Sequence, residues 1–86
     1  MQVFKPAGVP FNQLTEIELG LDELEAIRLV DIEGLYQERA AQQLGVSRST
    51  LGRILKNGRN KIAHAIVESK ALVVRESNRT LDNKAE

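Results

Sequence analysis

The chain has 86 residues with 12 acidic and 12 basic side chains and no cysteine, which excludes disulfides and thiolate metal sites. Apolar residues make up 42% of the chain and aromatic residues only 3%, which favours one aliphatic core over a β-sandwich. No apolar run approaches the roughly 20 residues that span a bilayer and no signal peptide opens the chain, so we expect a cytoplasmic protein without a membrane partner.

Although the net charge is zero, the charges are unevenly distributed along the chain. Residues 14–34 hold seven acidic side chains and one basic, whereas residues 35–61 hold six basic side chains and one acidic. The local field of such a polarised chain matters more than its summed charge. The basic segment is therefore a candidate surface for an anionic partner. Two solvated faces that attract each other would explain the same distribution.

Residues 1–15 predict an extended N-terminal arm, because MQVFKPAGVPFN contains both prolines of the chain and a glycine. We favour packing on the helices or contact with a second subunit as the role of this arm, ahead of contact with DNA. The next segment, EIELGL, alternates charged and apolar residues, so it is either a short strand or a lead-in to the first helix.

A first helix is predicted from Asp22, which is placed as its N-cap, with Glu25 at the reciprocal capping-box position. Gly34 is well placed to end this helix. Acidic residues at a helix start stabilise the helix dipole, so we interpret the carboxylates here as structural rather than catalytic. The apolar side of the helix would hold Leu24, Ile27, Leu29, Val30 and Ile32.

Two further helices are predicted on either side of a tight turn. The second runs from about Gln37 to Leu44, Gly45 supplies the positive φ of the turn, and Ser47 is the N-cap of the third. Gly58 interrupts the third helix, and the sequence leaves open whether the helix kinks, breaks or continues there. The inward face of the third helix would hold Leu51, Ile54, Leu55, Ile62 and Ile66.

This arrangement has the spacing of a helix-turn-helix, which needs a small residue in its second helix, a glycine at the turn and apolar anchors. Ala41, Gly45, Val46, Leu51 and Ile54 fill those places. Burying them fixes which face of the third helix points outward. A helical hairpin that docks to a protein would have the same spacing.

The outward face predicts contact with double-stranded DNA, because arginine can pair with guanine and serine with several bases. The predicted base-reading residues are Arg48, Ser49, Gly52, Arg53 and Lys56. Residues that touch only phosphates position a protein without reading the sequence. The predicted phosphate contacts are Arg39, Ser47, Thr50, Arg59 and Lys61.

The segment LGLDELEAIRLVDIEGLYQERAAQQLGVSRSTLGRILKNGRNKI resembles the fourth region of sigma factors, the domain that reads the promoter −35 element. With FKPAGVP in front of it, the chain resembles still more closely a widespread family of small uncharacterised prokaryotic helix-turn-helix proteins. The resemblance covers roughly residues 3–72. It implies a sigma-like helix-turn-helix without a wing and a regulatory role in transcription.

No constellation in the sequence favours an enzyme. His64 is the only histidine, so it has neither a ligand set nor a nucleophile to serve, and we expect it on a helix surface. We therefore expect no catalytic residue, no metal and no cofactor.

Together these observations predict an all-α protein with a three-helix core. The expected organisation is an arm at 1–15, a helix-turn-helix domain at 16–72 and a flexible tail at 73–86, where LVV is either a frayed helix end or an oligomer patch. The predicted function is sequence-specific DNA binding as a transcriptional regulator, as a homodimer and with the transcription machinery as a further partner. The alternative is a protein-interaction module or adaptor that uses the acidic first helix.

Overall fold

The computed structural model describes residues 2–76, which fold into three helices and a three-stranded sheet. The prediction of an all-α protein is wrong, and the fold class is mixed α/β. A short 3₁₀ turn at Phe11–Gln13 and a π-helical segment at Arg28–Ile32, directly after the first helix, complete the secondary structure. The main elements in chain order are β1 (Gln2–Phe4), β2 (Glu16–Gly20), α1 (Leu21–Ile27), α2 (Gln37–Leu44), α3 (Arg48–Val67) and β3 (Ala71–Arg75).

The sheet has the order β1-β3-β2, with β3 in the middle. β3 runs antiparallel to β1, where Val3 lies opposite Val73, and parallel to β2, where Glu18 lies opposite the same residue. Two parallel neighbours need a long crossover connection. Here the whole three-helix unit forms that connection, so the ends of the helix-turn-helix are tied to adjacent strands.

The central position of β3 explains why the sequence was misread at this point. Ala71–Val74 are all buried in the central strand of the sheet, and such a strand is a continuous apolar run without the alternation that marks a half-buried strand. The predicted tail boundary at residue 73 falls inside β3, so Val73–Arg75 are corrected from tail to sheet. The rest of the predicted tail, residues 77–86, lies outside the described residues.

Most local predictions about the helices are confirmed. α2 has the predicted bounds, EIELG is a strand, and Gly34 and Gly45 take positive φ values of 78° and 73°. Ser47 caps α3, since its Oγ accepts a hydrogen bond from the Thr50 amide at 3.1 Å. The residues predicted to face inward on the first and third helices are buried or half-buried, except the last one on each helix: Ile32 and Ile66 are exposed.

The start of α1 differs from the prediction. Gly20, not Asp22, is the N-cap, and its amide donates to Glu23 Oε1 at 2.9 Å, so Glu23 takes the capping-box role that the sequence assigned to Glu25. The shift arises because β2 runs directly into α1 without a loop.

Two apolar clusters share α3. The first joins the three helices and the second joins the sheet to the C-terminal half of α3. α3 therefore connects the helix-turn-helix to the sheet as one continuous rod. The buried members are Ala26, Leu29, Ala40, Ala41, Leu51 and Leu55 in the first cluster, and Leu19, Ala65, Leu72 and Val74 in the second.

Gly58 lies between the two clusters and does not break α3, which settles the question that the sequence left open. It is buried where α1 crosses, and a Cβ at this position would lie 3.1 Å from Glu23 Cβ and 2.9 Å from Ile27 Cδ1. The glycine therefore permits a close helix crossing. Within the described residues, no helix is both long and apolar enough to cross a membrane.

We expect Gly58→Ala and Gly52→Ala to change stability in opposite directions. At Gly58 the overpacking cost of about 1–3 kcal/mol should exceed the gain in helix propensity of about 1 kcal/mol. At Gly52 the nearest atom to an added Cβ is Gln37 Oε1 at 3.7 Å, so only the gain remains. Urea unfolding of both variants measures the difference, and equal stabilisation would contradict a close crossing at Gly58.

Candidate nucleic-acid interface

The turn between α2 and α3 fixes how the two helices meet. Gly45 adopts the left-handed conformation after Leu44, and the Val46 amide donates to the Ala41 carbonyl at 3.0 Å. Ala41 and Leu51 are buried in the contact between the helices. Because these inward residues cannot turn away, the opposite face of α3 must point to solvent.

That outward face carries the residues predicted to read bases. Arg48, Ser49, Arg53 and Lys56 are exposed and lie on the first three turns of α3, with Gly52 half-buried among them. The structure thus brings the five predicted positions onto one surface. We call this surface, together with Arg39 on α2, the basic face.

Hydroxyl groups at the start of α3 form a local network. Ser47 Oγ lies 3.0 Å from Thr50 Oγ1 and 3.3 Å from Ser49 Oγ. Arg53 donates to Thr50 Oγ1 at 3.3 Å, which restrains the guanidinium beside the helix N-terminus. Amides and the dipole at such an N-terminus favour an anion, and the neighbouring arginines add positive charge.

The cations of the basic face have no carboxylate partner within residues 2–76. None of Arg39, Arg48, Arg53 and Lys56 forms an ion pair there, and Glu38 is the only acidic residue between positions 35 and 61. The positive charge of this surface is therefore not neutralised by the rest of the described chain.

Two further basic residues were predicted to contact phosphate, Arg59 and Lys61. Both have carboxylate partners on α1 and the π-helical turn that follows it, which together we call the first helical segment (residues 21–32). Arg59 donates to both oxygens of Asp31, at 2.6 and 3.2 Å, and this hydrogen bonding lowers the pKa of Asp31 and raises the pKa of Arg59. Lys61 Nζ donates to Glu23 Oε1 at 2.9 Å. These two residues join α3 to the first helical segment, and their contact with phosphate stays a prediction.

The sequence analysis missed Glu23, the single charged residue that is buried among residues 2–76, with a relative exposure of 1%. Its carboxylate accepts from the Gly20 amide and from Lys61. The only signal in the sequence was the opposite charge of the two neighbouring segments. Part of that polarisation is thus an attraction between packed helices, as the alternative interpretation held.

Two further groups of charged side chains pair with residues close in the sequence. Arg28 binds Glu25 with two hydrogen bonds, which lowers the pKa of Glu25, and also pairs with Glu33. His64 lies on the helix surface and contacts Glu68 at 3.0 Å. In the described part of the chain, no three histidine, cysteine or acidic side chains are grouped so that they could hold a metal ion.

Comparison with known proteins identifies a family but no function. A family model described as "Protein of unknown function DUF134" matches residues 1–81. A UPF0251 protein of Vibrio parahaemolyticus is 53% identical over 70 residues, which are 81% of this chain and 73% of that protein. UPF0251 proteins of Prosthecochloris aestuarii and Halothermothrix orenii are 46% and 50% identical over 86% and 84% of this chain.

This chain covers about half of the length of the last two relatives, 48% and 53% respectively. No solved structure matches the chain.

The structural roles of Lys61 and Arg59 predict different effects on stability. Lys61→Met should lower the free energy of unfolding by about 3 kcal/mol, because the buried Glu23 carboxylate loses its cation. Arg59→Gln, which removes a more exposed pair, should cost less than about 1 kcal/mol. Adding Glu23→Gln to Lys61→Met should restore part of the loss, and a Lys61→Met variant as stable as Arg59→Gln would contradict the assignment. Urea unfolding measures all three variants.

The Asp31–Arg59 pair should make stability depend on pH. Because the pKa of Asp31 is lowered in the folded state, its contribution is present above the ordinary aspartate pKa of about 4 and is lost as the pH falls through the lowered value. The difference in unfolding free energy between the wild type and Arg59→Gln should therefore shrink between pH 5 and strongly acidic conditions, on the order of pH 2. A constant difference over this range would show that the ion pair does not contribute.

Proposed function

This chain belongs to the family described as "Protein of unknown function DUF134", and we propose that it binds double-stranded DNA sequence-specifically as a transcriptional regulator. The observation that carries the proposal is the basic face, where four cations on α2 and on the first turns of α3 have no carboxylate partner within residues 2–76. This chain covers only about half of the length of two relatives. The proposal therefore concerns this chain and does not describe the activity of the longer proteins.

In the proposed complex the first turns of α3 enter the major groove, which is wide enough for an α-helix. Arg48 and Arg53 would donate to guanine O6 and N7, and Ser49 and Lys56 would contact neighbouring bases or their edges. Gly52 would let the helix backbone approach the groove floor closely, since no side chain separates them.

Phosphate contacts would hold the protein in this register. Arg39 is exposed on the first turn of α2, and Ser47 and Thr50 lie at the N-terminus of α3. These groups would bind any DNA sequence with similar strength. Sequence preference would then come from the outward residues of α3.

The resemblance of residues 19–62 to sigma factor region four supports this docking mode. The three-helix cluster packs one face of α3 against the other two helices and leaves the outward face of its N-terminal half exposed, which is compatible with reading a promoter element. The resemblance to the small helix-turn-helix family that carries FKPAGVP supports the same proposal. We further propose that the protein acts in the cytoplasm, forms a homodimer that binds two half-sites, and contacts the transcription machinery. A dimer would add affinity, because two half-sites one helical turn apart are bound at once.

The protein-interaction alternative receives less support. It needs a free acidic surface on the first helical segment, but Glu23, Glu25, Asp31 and Glu33 all pair with basic residues of this chain. No observation favours an enzyme, so none is proposed.

The test is selection of duplexes from a random pool, followed by fluorescence anisotropy with the selected site and a scrambled duplex. Replacing Arg48 or Arg53 by Ala should cost about 1–3 kcal/mol on the selected site and reduce its advantage over the scrambled one. Arg39→Ala should weaken both duplexes equally and reduce the salt dependence of binding.

The matched control is Arg28→Ala, an exposed arginine outside the basic face. It should leave binding unchanged. The Gly52→Ala variant should fold normally, because the folded chain has room for the added methyl group. It should nevertheless bind the selected site more weakly, because the methyl group would separate α3 from the groove floor. No binding at low salt, or equal losses for Arg28→Ala and Arg48→Ala, would contradict the proposal.

A further inference from the structure

A cavity of about 540 Å³ lies at the other end of α3 from the basic face, between the sheet and the C-terminal half of the helix. Its size is typical of cavities that bind small molecules. We call it the sheet pocket. Its apolar lining includes Leu19, Leu24, Ile62, Ala65, Leu72 and Val74.

Polar donors line the same pocket. Lys5, Ser69 and Lys70 contribute to its wall. The Lys5 ammonium donates to the Val9 carbonyl at 2.8 Å and forms no ion pair within residues 2–76. Lys70 pairs with Glu68 at 3.0 Å, and Glu68 is shared with His64. With two lysines and one carboxylate, these groups give the pocket wall a net positive charge.

Ser69 is held in a costly backbone conformation. Its φ of 56° makes it the one non-glycine residue with positive φ among residues 2–76, directly after the end of α3. Glycine would fit this position without strain, whereas serine is one of the residues that line the pocket. The left-handed residue ends α3, since the Lys70 amide donates to the Ala65 carbonyl at 2.9 Å, and this turn fixes Ser69 and Lys70 at the pocket wall.

We propose that the sheet pocket binds a monocarboxylate with a medium-length aliphatic body, since cavities of this volume hold small organic ligands. The apolar body lies against the aliphatic lining. The carboxylate accepts hydrogen bonds from Lys5, Lys70 and the Ser69 hydroxyl. Charge complementarity at the wall selects an acid over a neutral molecule with the same apolar body.

The chain's own C-terminal segment is a poor occupant by composition. Residues 77–86, SNRTLDNKAE, contain one large apolar residue, Leu81, among mostly polar side chains. A second copy of the chain is the competing occupant, because Phe4 and Ile66 beside the pocket are exposed at 57% and 74%.

The sheet pocket and the basic face lie at opposite ends of α3. Binding of the carboxylate is measured without DNA, so this proposal and the proposed function can fail separately.

The experiment is a titration of the 86-residue protein with decanoate and, separately, with decanol. Calorimetry measures the affinity, and changes in amide chemical shifts locate the binding site. We expect decanoate to bind about tenfold more tightly than decanol, with the largest shifts in β3 and the C-terminal half of α3. Replacing both Lys5 and Lys70 by Glu should abolish this preference while decanol still binds.

A matched pair of variants tests the location. Ala65→Leu fills the pocket and should abolish binding of both molecules, whereas Ala63→Leu, an exposed position on the same helix, should leave it unchanged. If Ala65→Leu does not fold, the double lysine variant still decides the question.

The proposal is overturned if decanoate fails to bind at millimolar concentration, or if its shifts lie outside the pocket. It is also overturned if analytical ultracentrifugation shows a dimer that Phe4→Glu dissociates and decanoate does not affect, because a second copy then covers the pocket.

Discussion

The fold depends on the crossing of α1 over α3 at Gly58. At this point the Glu23 carboxylate is buried between the Gly20 amide, where β2 ends, and the Lys61 ammonium on α3. A buried carboxylate is tolerated only with such partners, so strand, helix start and α3 are held in one arrangement. The lack of a side chain at Gly58 lets the two helices approach closely enough for these contacts. Along α3, one apolar cluster precedes this crossing and the other follows it.

The crossing also explains the distribution of charge. The acidic segment neutralises the basic residues of the C-terminal half of α3 through Asp31–Arg59 and Glu23–Lys61. The N-terminal half lies beyond the reach of those acids, and its cations remain without carboxylate partners among residues 2–76. A chain of zero net charge therefore presents a locally basic surface, which is the property that DNA binding requires.

Several structural features that depend on residues close together in the sequence were predicted correctly. Gly34, Gly45 and Ser47 mark helix ends through backbone conformation and capping, which depend on a few neighbours, and these were correct. The sheet was missed because β3 is a short apolar run whose partners lie on the far side of three helices, and only that pairing makes it a strand. The pairing of Arg59 with Asp31 was not predicted for a similar reason, since a sequence shows the charge of a side chain but not its partner 28 residues away; the phosphate contact of Arg59 stays a prediction.

The two glycines of α3 differ in a way that bears on function. Gly58 is required by the chain itself, because Glu23 and Ile27 occupy the space where a side chain would lie. Gly52 has no such constraint: its nearest neighbour would be 3.7 Å from an added Cβ, yet the helix loses about 1 kcal/mol relative to alanine there. Nothing within the described chain requires glycine at this position, so its cost in helix stability would be explained if a partner outside the chain needed the space. Gly52 lies half-buried among Arg48, Arg53 and Lys56, so under the proposed function the groove of DNA would be the partner that needs this space.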